Sequence, residues 1–159
     1  MNYSLKLSKV KRCSAALKIL SRAKQRSFSV DELRKAALIY SYCSLPVDSE
    51  KCWLEIEARA EMAPGDFYML GSLQAEMKKI EPAIHSLEHE IQLSLTLSES
   101  YYLCSSAIIL ASLLIEAGDI PEAKKILKLV DPGEGGFIPH VGYKTKVELL
   151  ARVEEKLKK

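Results

Sequence analysis

The amino-acid sequence predicts an all-α protein, and two observations support that prediction. Apolar residues recur at helical spacing along most of the 159-residue chain, as at Leu73, Met77 and Ile80. Only six prolines and seven glycines interrupt the sequence, so few segments are barred from helix. We therefore expect an all-helical chain.

Capping residues and helix breakers set the expected boundaries in chain order. They are Ser29 and Asp31, Leu45-Pro46, Asp48 or Ser49, Pro64-Gly65-Asp66, and Ser98 to Ser100. Leu45-Pro46 should end one helix, so that the next begins at Asp48 or Ser49. These signals predict helices near residues 5–26, 31–43, 48–62, 66–79, 82–97, 100–117, 121–131 and 143–158.

The predicted helices fall into repeating pairs. Segments that begin at residues 31, 66 and 99 each contain a helix, a short break and a second helix. Aligning the breaks groups Val47 with Ile80 and Ile120, and Leu54 with Leu87 and Leu127, at intervals of 33 and 40 residues. Helix pairs at such intervals are typical of solenoids, in which one pair cannot bury its apolar face alone.

Two of the pairs also carry small residues twelve positions apart, Gly71 with Ala83 and Ala111 with Ala123. Small residues let two helix axes approach closely. Together with the turn "EAGDIPEA", this spacing over residues 31–131 resembles the tetratricopeptide repeat. The first pair departs from the pattern, because its equivalent positions would be Leu38 and Glu50.

The length of the chain predicts a single domain over residues 1–159, and the resemblance implies a right-handed stack of helical hairpins like a tetratricopeptide solenoid. An extra basic helix lies within residues 1–30, three hairpins occupy 31–131, a turn covers 132–142 and a capping helix covers 143–159. Such arrays need a polar terminal cap.

The longest uncharged stretch, 100–115, is shorter than a membrane span, so we expect it to be a buried helix.

The four cysteines show no C-x-x-C spacing, which disfavours a zinc ribbon or a redox pair. They are Cys13, Cys43, Cys52 and Cys104. A chain of this length can bury a sizeable core without a covalent staple. We therefore expect four reduced thiols in apolar surroundings.

Charge is distributed unevenly, although the net charge is only +2. Residues 1–30 contain eight Lys or Arg and no acid, whereas residues 31–100 contain thirteen acids and six bases. The basic helix could pack on the acidic middle of the chain through Leu5, Val10, Leu17 and Leu20, or bind nucleic acid or an anionic membrane. We expect a cytoplasmic location, with organelle targeting open if residues 1–30 act as a transit peptide.

The motifs that could support catalysis are weak, and we expect no enzyme, resident metal or cofactor. "HSLEH", residues 85–89, has the order of an inverted zincin, but a working site needs a third ligand and a water. "DPGEGGF", residues 131–137, lacks the Gly-Lys-Ser/Thr ending of a phosphate-binding loop and follows a helix. We interpret it as a turn that ends the helix.

Tyrosines give the best binding signal, because Tyr joins a rigid apolar body to a hydrogen-bonding tip. By the tetratricopeptide resemblance, the first helix of each pair lines a concave groove. The partner-binding residues would be Lys35, Ile39, Tyr42, Tyr68, Ser72, Glu76, Ser112 and Glu116.

The resulting hypothesis is a non-enzymatic protein–protein interaction module that holds a peptide or helical segment of another protein, as an adaptor, assembly factor or chaperone. Size, three repeats and a trailing helix resemble the tetratricopeptide chaperones of type III secretion. The alternative is nucleic-acid or anionic-membrane binding through residues 1–30.

Overall fold

The computed structural model describes residues 3–23, 27–98 and 101–158, and the side chains of residues 3–9 and 23 are outside this description. The described residues form eight helices and one small sheet. The helices are α1 (Tyr3–Ala23), α2 (Val30–Tyr42), α3 (Pro46–Ala58), α4 (Asp66–Glu76), α5 (Ile80–Leu97), α6 (Leu103–Ala117), α7 (Ile120–Leu127) and α8 (Lys146–Leu157). Strands β1 (Gly135–Ile138) and β2 (Gly142–Thr145) precede α8.

The mostly helical class is confirmed, but two local predictions are wrong. The expected turn at 132–142 contains β1, which pairs antiparallel with β2 so that Phe137 lies opposite Tyr143. The last helix consequently begins at Lys146, later than predicted. α3 begins at Pro46, earlier than Asp48, because proline is tolerated in the first turn of a helix. The predicted ends at residues 24–26 and 99–100 lie outside the described residues.

Two compact units divide the chain, Met1–Met62 and Ala63–Lys159. The first contains α1 to α3, and the second contains α4 to α8 with the β-hairpin. The prediction of one domain over residues 1–159 stays a prediction. Among the described residues, no helix has both the length and the apolar character needed to cross a bilayer.

In the first unit, α2 and α3 form a tight hairpin. The Ser49 hydroxyl donates to the carbonyl oxygen of Ala37 at 2.9 Å, and both residues are fully buried. The small pair of this hairpin is therefore Ala37 with Ser49, one residue before the predicted Leu38 and Glu50 on each helix. Ser29 starts α2 with a capping box to Glu32, as the capping signal predicted.

A disulfide between Cys13 and Cys43 joins α1 to the end of α2, with the two Cα atoms 5.5 Å apart. The prediction of four reduced thiols is therefore wrong for this pair. Cys52 is buried and Cys104 half-buried, and neither is part of a disulfide. Of the packing residues predicted on α1, Leu20 is buried and Leu17 half-buried, but Val10 is 65% exposed; Leu5 lies outside the described side chains. The prediction that Val10 packs inward is wrong.

In the second unit, α6 is the central element. Its residues from Ser106 to Ile115 are buried, because α4, α5, α7, β1 and α8 all contact it. A helix that is apolar on all sides is stable only when it is surrounded in this way. Gly71 lies so close to Leu87 and the Ala83 carbonyl that a β-carbon would not fit. Ala111 and Ala123 are both fully buried, so small residues lie inside both hairpins as expected.

Glu90 is a fully buried acid on α5 whose side chain caps the N-terminus of α4. Its carboxylate accepts hydrogen bonds from the backbone N–H groups of Gly65 (2.9 Å) and Tyr68 (3.2 Å) and from the Ser94 hydroxyl (3.1 Å). The first N–H groups of a helix have no partner within the helix, and they lie at the positive end of its dipole. Glu90 therefore has a structural role within this unit.

The start of α8 is fixed by a second capping box. The Thr145 hydroxyl accepts from the backbone N–H of Glu148, and the Glu148 side chain accepts from the backbone N–H of Thr145. Lys144 pairs with the same carboxylate at 2.8 Å. These contacts, the Lys144 hydrogen bond foremost, lower the pKa of Glu148 to about 2.

Candidate partner-binding surfaces

The predicted binding residues are distributed over both units. Lys35, Ile39 and Tyr42 lie on α2 of the first unit. Tyr68, Ser72 and Glu76 lie on α4, and Ser112 and Glu116 on α6, all in the second unit.

In the first unit, α1 and α2 enclose an apolar cleft of about 260 Å³, here called the α1–α2 cleft. Two of the predicted residues, Ile39 and Tyr42, line it. The other lining residues are Arg12, Cys13, Ala16, Leu38 and Cys43. The disulfide is thus part of the wall, and it holds the two helices together beside the cleft.

Large apolar side chains at this cleft remain in contact with solvent. Leu38 is 47% exposed and Tyr42 is 52% exposed. Leu38 and Ile39 lie four and three residues before Tyr42 on α2, so each shares a helix face with Tyr42. On α1, Ile19 is exposed and lies one turn beyond Ala16. The cleft therefore belongs to a larger apolar surface on the first unit.

The charges around the α1–α2 cleft are mainly positive. Arg12 lines it, and Lys35 is exposed one turn before Ile39. No acid is among the described residues that line the cleft. Asp31, one turn before Lys35, pairs with Arg34 at 3.2 Å. The described basic side chains of α1 (Lys11, Arg12, Lys18 and Arg22) are all exposed.

In the second unit, Tyr68 is half-buried among aromatic rings. Its ring centroid lies 5.3 Å from that of Tyr102, which lies 4.8 Å from that of the exposed Tyr101. Burial raises the pKa of Tyr102, and the neighbouring Tyr101 and Glu90 add to the effect. Tyr68 also packs against the hydrophobic core, so it contributes to the fold of its unit as well as to its surface.

The chain itself covers much of the face predicted on α6. Gly136 of β1 lies against Ile108, and Ser112 is only 1% exposed. Ser112 therefore belongs to the core and not to a binding face. Ser112 is buried because α6 is mostly apolar, so other elements of the same chain pack against it on every side.

The remaining predicted residues of this unit contact other parts of the same chain. The exposed Glu116 pairs with Arg152 of α8 at 3.7 Å. The backbone carbonyl of Glu76 lies 2.7 Å from Nε2 of His140, at the tip of the β-hairpin. Ser72 is half-buried. Tyr68, Ser72, Glu76 and Glu116 stay predictions as partner contacts.

The two histidines of the "HSLEH" segment, His85 and His89, are exposed on α5. The rings of His85 and His89 lie 4.4 Å apart, and Phe67 packs against His89 at 5.2 Å. Within the described ranges, no group of three His, Cys, Asp or Glu side chains is close enough to hold a metal ion. The third histidine of the chain, His140, lies against the backbone carbonyl of Glu76.

The free thiol of Cys104 is poorly suited to nucleophilic attack. Its pKa is raised to about 11, chiefly by burial, with contributions from a hydrogen bond with Glu134 and from the nearby acids Glu134 and Asp131. With this pKa the thiol is almost entirely protonated near neutral pH. It is therefore unreactive, because the thiolate is the nucleophilic form.

Two surface features were missed from the sequence. One is the disulfide, since the 30-residue separation of Cys13 and Cys43 follows no known motif. The other is an aromatic pair on the outer face of the β-hairpin, where Phe137 and Tyr143 are opposite each other and both exposed. The sequence signal for this hairpin was the alternation of side-chain character in "GGFI" and "GYKT", two short segments that each begin with glycine.

The chain matches no protein-family model, and it has no significant match among curated proteins or solved structures. Its function has to be inferred from the chemistry of its own residues.

Proposed function

We propose that the protein is a non-enzymatic protein–protein interaction module that binds a peptide or helical segment of another protein, as an adaptor, assembly factor or chaperone. One observation carries this proposal. The α1–α2 cleft combines a concave apolar surface with a half-exposed tyrosine, Tyr42, and a half-exposed leucine, Leu38.

Such a surface fits an interaction site for energetic reasons. Apolar area left in water is unfavourable by roughly 25 cal/mol per Å², so a partner that covers it gains free energy. Contiguous exposed apolar patches on soluble proteins commonly mark binding sites. Tyr is enriched among the residues that dominate binding energy, because it contributes large contact area at a small cost in side-chain entropy.

The proposed architecture is a right-handed, tetratricopeptide-like stack. Small buried pairs twelve residues apart support it: Ala37 with Ser49, Gly71 with Ala83, and Ala111 with Ala123. A kinship with the chaperones of type III secretion is a narrower form of the same proposal. By the same proposal, Tyr68, Ser72, Glu76 and Glu116 would form a binding face on the second unit.

A second candidate is binding of nucleic acid or an anionic membrane through residues 1–30. The observation in its favour is the exposure of Lys11, Arg12, Lys18 and Arg22 on α1. Contacts to phosphates weaken steeply as salt rises, because binding releases counterions. Binding through an apolar cleft is much less sensitive to salt.

The test is recovery of what binds the tagged full-length chain in its native cells, followed by binding measurements with purified components. The proposal expects a protein that still binds at about 0.5 M salt, where the Debye length is only a few ångströms. Tyr42→Ala should weaken this binding. Recovery of nucleic acid or lipid, released by salt and unaffected by Tyr42→Ala, would favour the second candidate.

The cytoplasmic location remains a proposal, as does organelle targeting through residues 1–30. The Cys13–Cys43 disulfide bears on both, since disulfides persist in oxidising compartments and are rare in the cytosol. Blocking free thiols in intact cells before lysis would show whether this pair is oxidised in place. A reduced pair would support the cytoplasm.

A further inference from the structure

We propose that the α1–α2 cleft binds an acidic amphipathic helix, a segment with apolar side chains on one face and Asp or Glu beside them. This inference rests on the proposed function, because it names the chemistry of the partner segment. It is drawn from the size of the cleft, the apolar side chains around it and the sign of its charges.

The size of the cleft fits an anchoring side chain better than an enclosed small molecule. Its volume of about 260 Å³ is below the roughly 300–1,000 Å³ of pockets that bury small ligands. A helix that lies along a groove needs only such a recess, because one or two of its apolar residues insert and the rest lie on the rim.

The rim offers apolar area on both helices. Leu38 and Tyr42 stand on the α2 side, and Ile19 continues the α1 side one turn beyond Ala16. Apolar residues at helical spacing therefore flank the cleft on both helices. An amphipathic helix matches this arrangement, because its apolar residues recur every three or four positions along one stripe.

The charges indicate the sign of the partner. Arg12 lines the cleft and Lys35 is exposed beside it, while Lys18 and Arg22 are exposed further along α1. Of the two acids in the first turn of α2, Asp31 has a cationic neighbour in Arg34, and Glu32 accepts hydrogen bonds from Ser29. A segment with acidic side chains would meet complementary charge here, and a basic segment would be repelled.

The test uses three fluorescein-labelled peptides of about 18 residues, which is five helical turns. The first has leucine on one face and glutamate on the others. In the second, lysine replaces every glutamate. The third has the composition of the first with its leucines spread around the helix. Fluorescence anisotropy with the full-length, oxidised protein should show binding of the first, with each of the others at least about tenfold weaker.

Matched variants locate the site. Leu38→Ala removes an apolar contact from the rim, and we expect about tenfold weaker binding of the acidic peptide. Leu54→Ala is its control, since Leu54 lies on α3 outside the cleft and is similarly exposed, at 41%. Arg12→Glu should weaken the acidic peptide and reduce its advantage over the lysine peptide. Circular dichroism would confirm that each variant is folded.

Three results would overturn the inference. The acidic peptide could fail to bind at about 1 mM, a level at which even weak recognition is detected. The lysine peptide could bind as well as the acidic one. Leu38→Ala could have no more effect than Leu54→Ala.

A fourth result would favour a different ligand class. Phosphatidylserine vesicles or duplex DNA could bind more tightly than any of the peptides and be unaffected by Leu38→Ala, which would overturn the inference.

If a partner protein recovered from cells binds tightly but is insensitive to Leu38→Ala and Arg12→Glu, the inference fails and the proposed function stands. If only nucleic acid or lipid is recovered, the proposed function itself fails.

Discussion

The hydroxyl of Ser49 donates a hydrogen bond to the carbonyl of Ala37, twelve residues earlier on the facing helix, at 2.9 Å. Both residues are fully buried, and neither side chain is large enough to separate α2 from α3. This contact gives the first hairpin the small pair that the sequence had assigned only to the other two hairpins. The close packing of the hairpins can be tested in both units.

Replacing Ser49 with alanine should lower the free energy of unfolding by about 1 kcal/mol, through loss of a buried hydrogen bond. Ser41→Ala is the control, because Ser41 is exposed on α2, and it should change stability by less than about 0.5 kcal/mol. Urea unfolding measures both variants. Equal effects of the two substitutions would show that the Ser49 contact does not stabilise the hairpin.

Replacing Ala123 with leucine should destabilise the protein by roughly 1 to 3 kcal/mol, despite the higher hydrophobicity of leucine, because the buried site has no room for it. Ala117→Leu is the matched control, since Ala117 is exposed at the end of α6. Thermal unfolding should distinguish the two. An unchanged midpoint for Ala123→Leu would contradict tight packing of α6 on α7.

Breaking the Cys13–Cys43 disulfide should lower the free energy of unfolding by about 3 kcal/mol, since the bond closes a loop across a separation of 30 residues. Cys13→Ser and Cys43→Ser should each reproduce the effect of a reductant on the wild-type protein. Urea unfolding with and without dithiothreitol provides the measurement. Coincident curves in the two conditions would rule out a stabilising role for the disulfide.

Lowering the pH should destabilise the start of α8, because the Glu148 carboxylate that caps this helix becomes protonated. The pKa of this carboxyl is lowered to about 2 in the folded protein from an ordinary 4.5, mainly by its hydrogen bond with Lys144. A lowered folded-state pKa gives stability that is present above pH 4.5 and is lost as the pH falls toward 2. Glu148→Gln should therefore flatten the pH dependence of stability in this window. Parallel wild-type and variant curves would contradict this account.

The sequence predicted the helices well because their signals are local. Apolar spacing and the N-cap candidate Ser29 are readable over a few residues, and both agree with the structure. The β-hairpin was missed because its strands have four residues each, too few to establish a period of two. The disulfide was missed because it depends on which helices meet, and no local pattern records that.

The candidate site was predictable only in part, for a related reason. Helical spacing placed Ile39 and Tyr42 on one face of α2, and both line the α1–α2 cleft. The same reasoning placed Ser112 on a binding face, yet β1 and α8 pack on α6 and Ser112 is buried. Spacing along a helix defines its faces, but which face stays exposed depends on elements distant in the sequence.

The most direct test of the central claim compares affinity and thermal unfolding for Tyr42→Ala and Tyr68→Ala, using the partner recovered from cells. Tyr42 is half-exposed at the α1–α2 cleft, whereas Tyr68 packs on the hydrophobic core. We predict that Tyr42→Ala weakens partner binding by about 1 to 3 kcal/mol with an almost unchanged midpoint, and that Tyr68→Ala lowers the midpoint clearly. If Tyr42→Ala leaves affinity intact, or unfolds the protein as severely as a core deletion, the α1–α2 cleft is not the binding site.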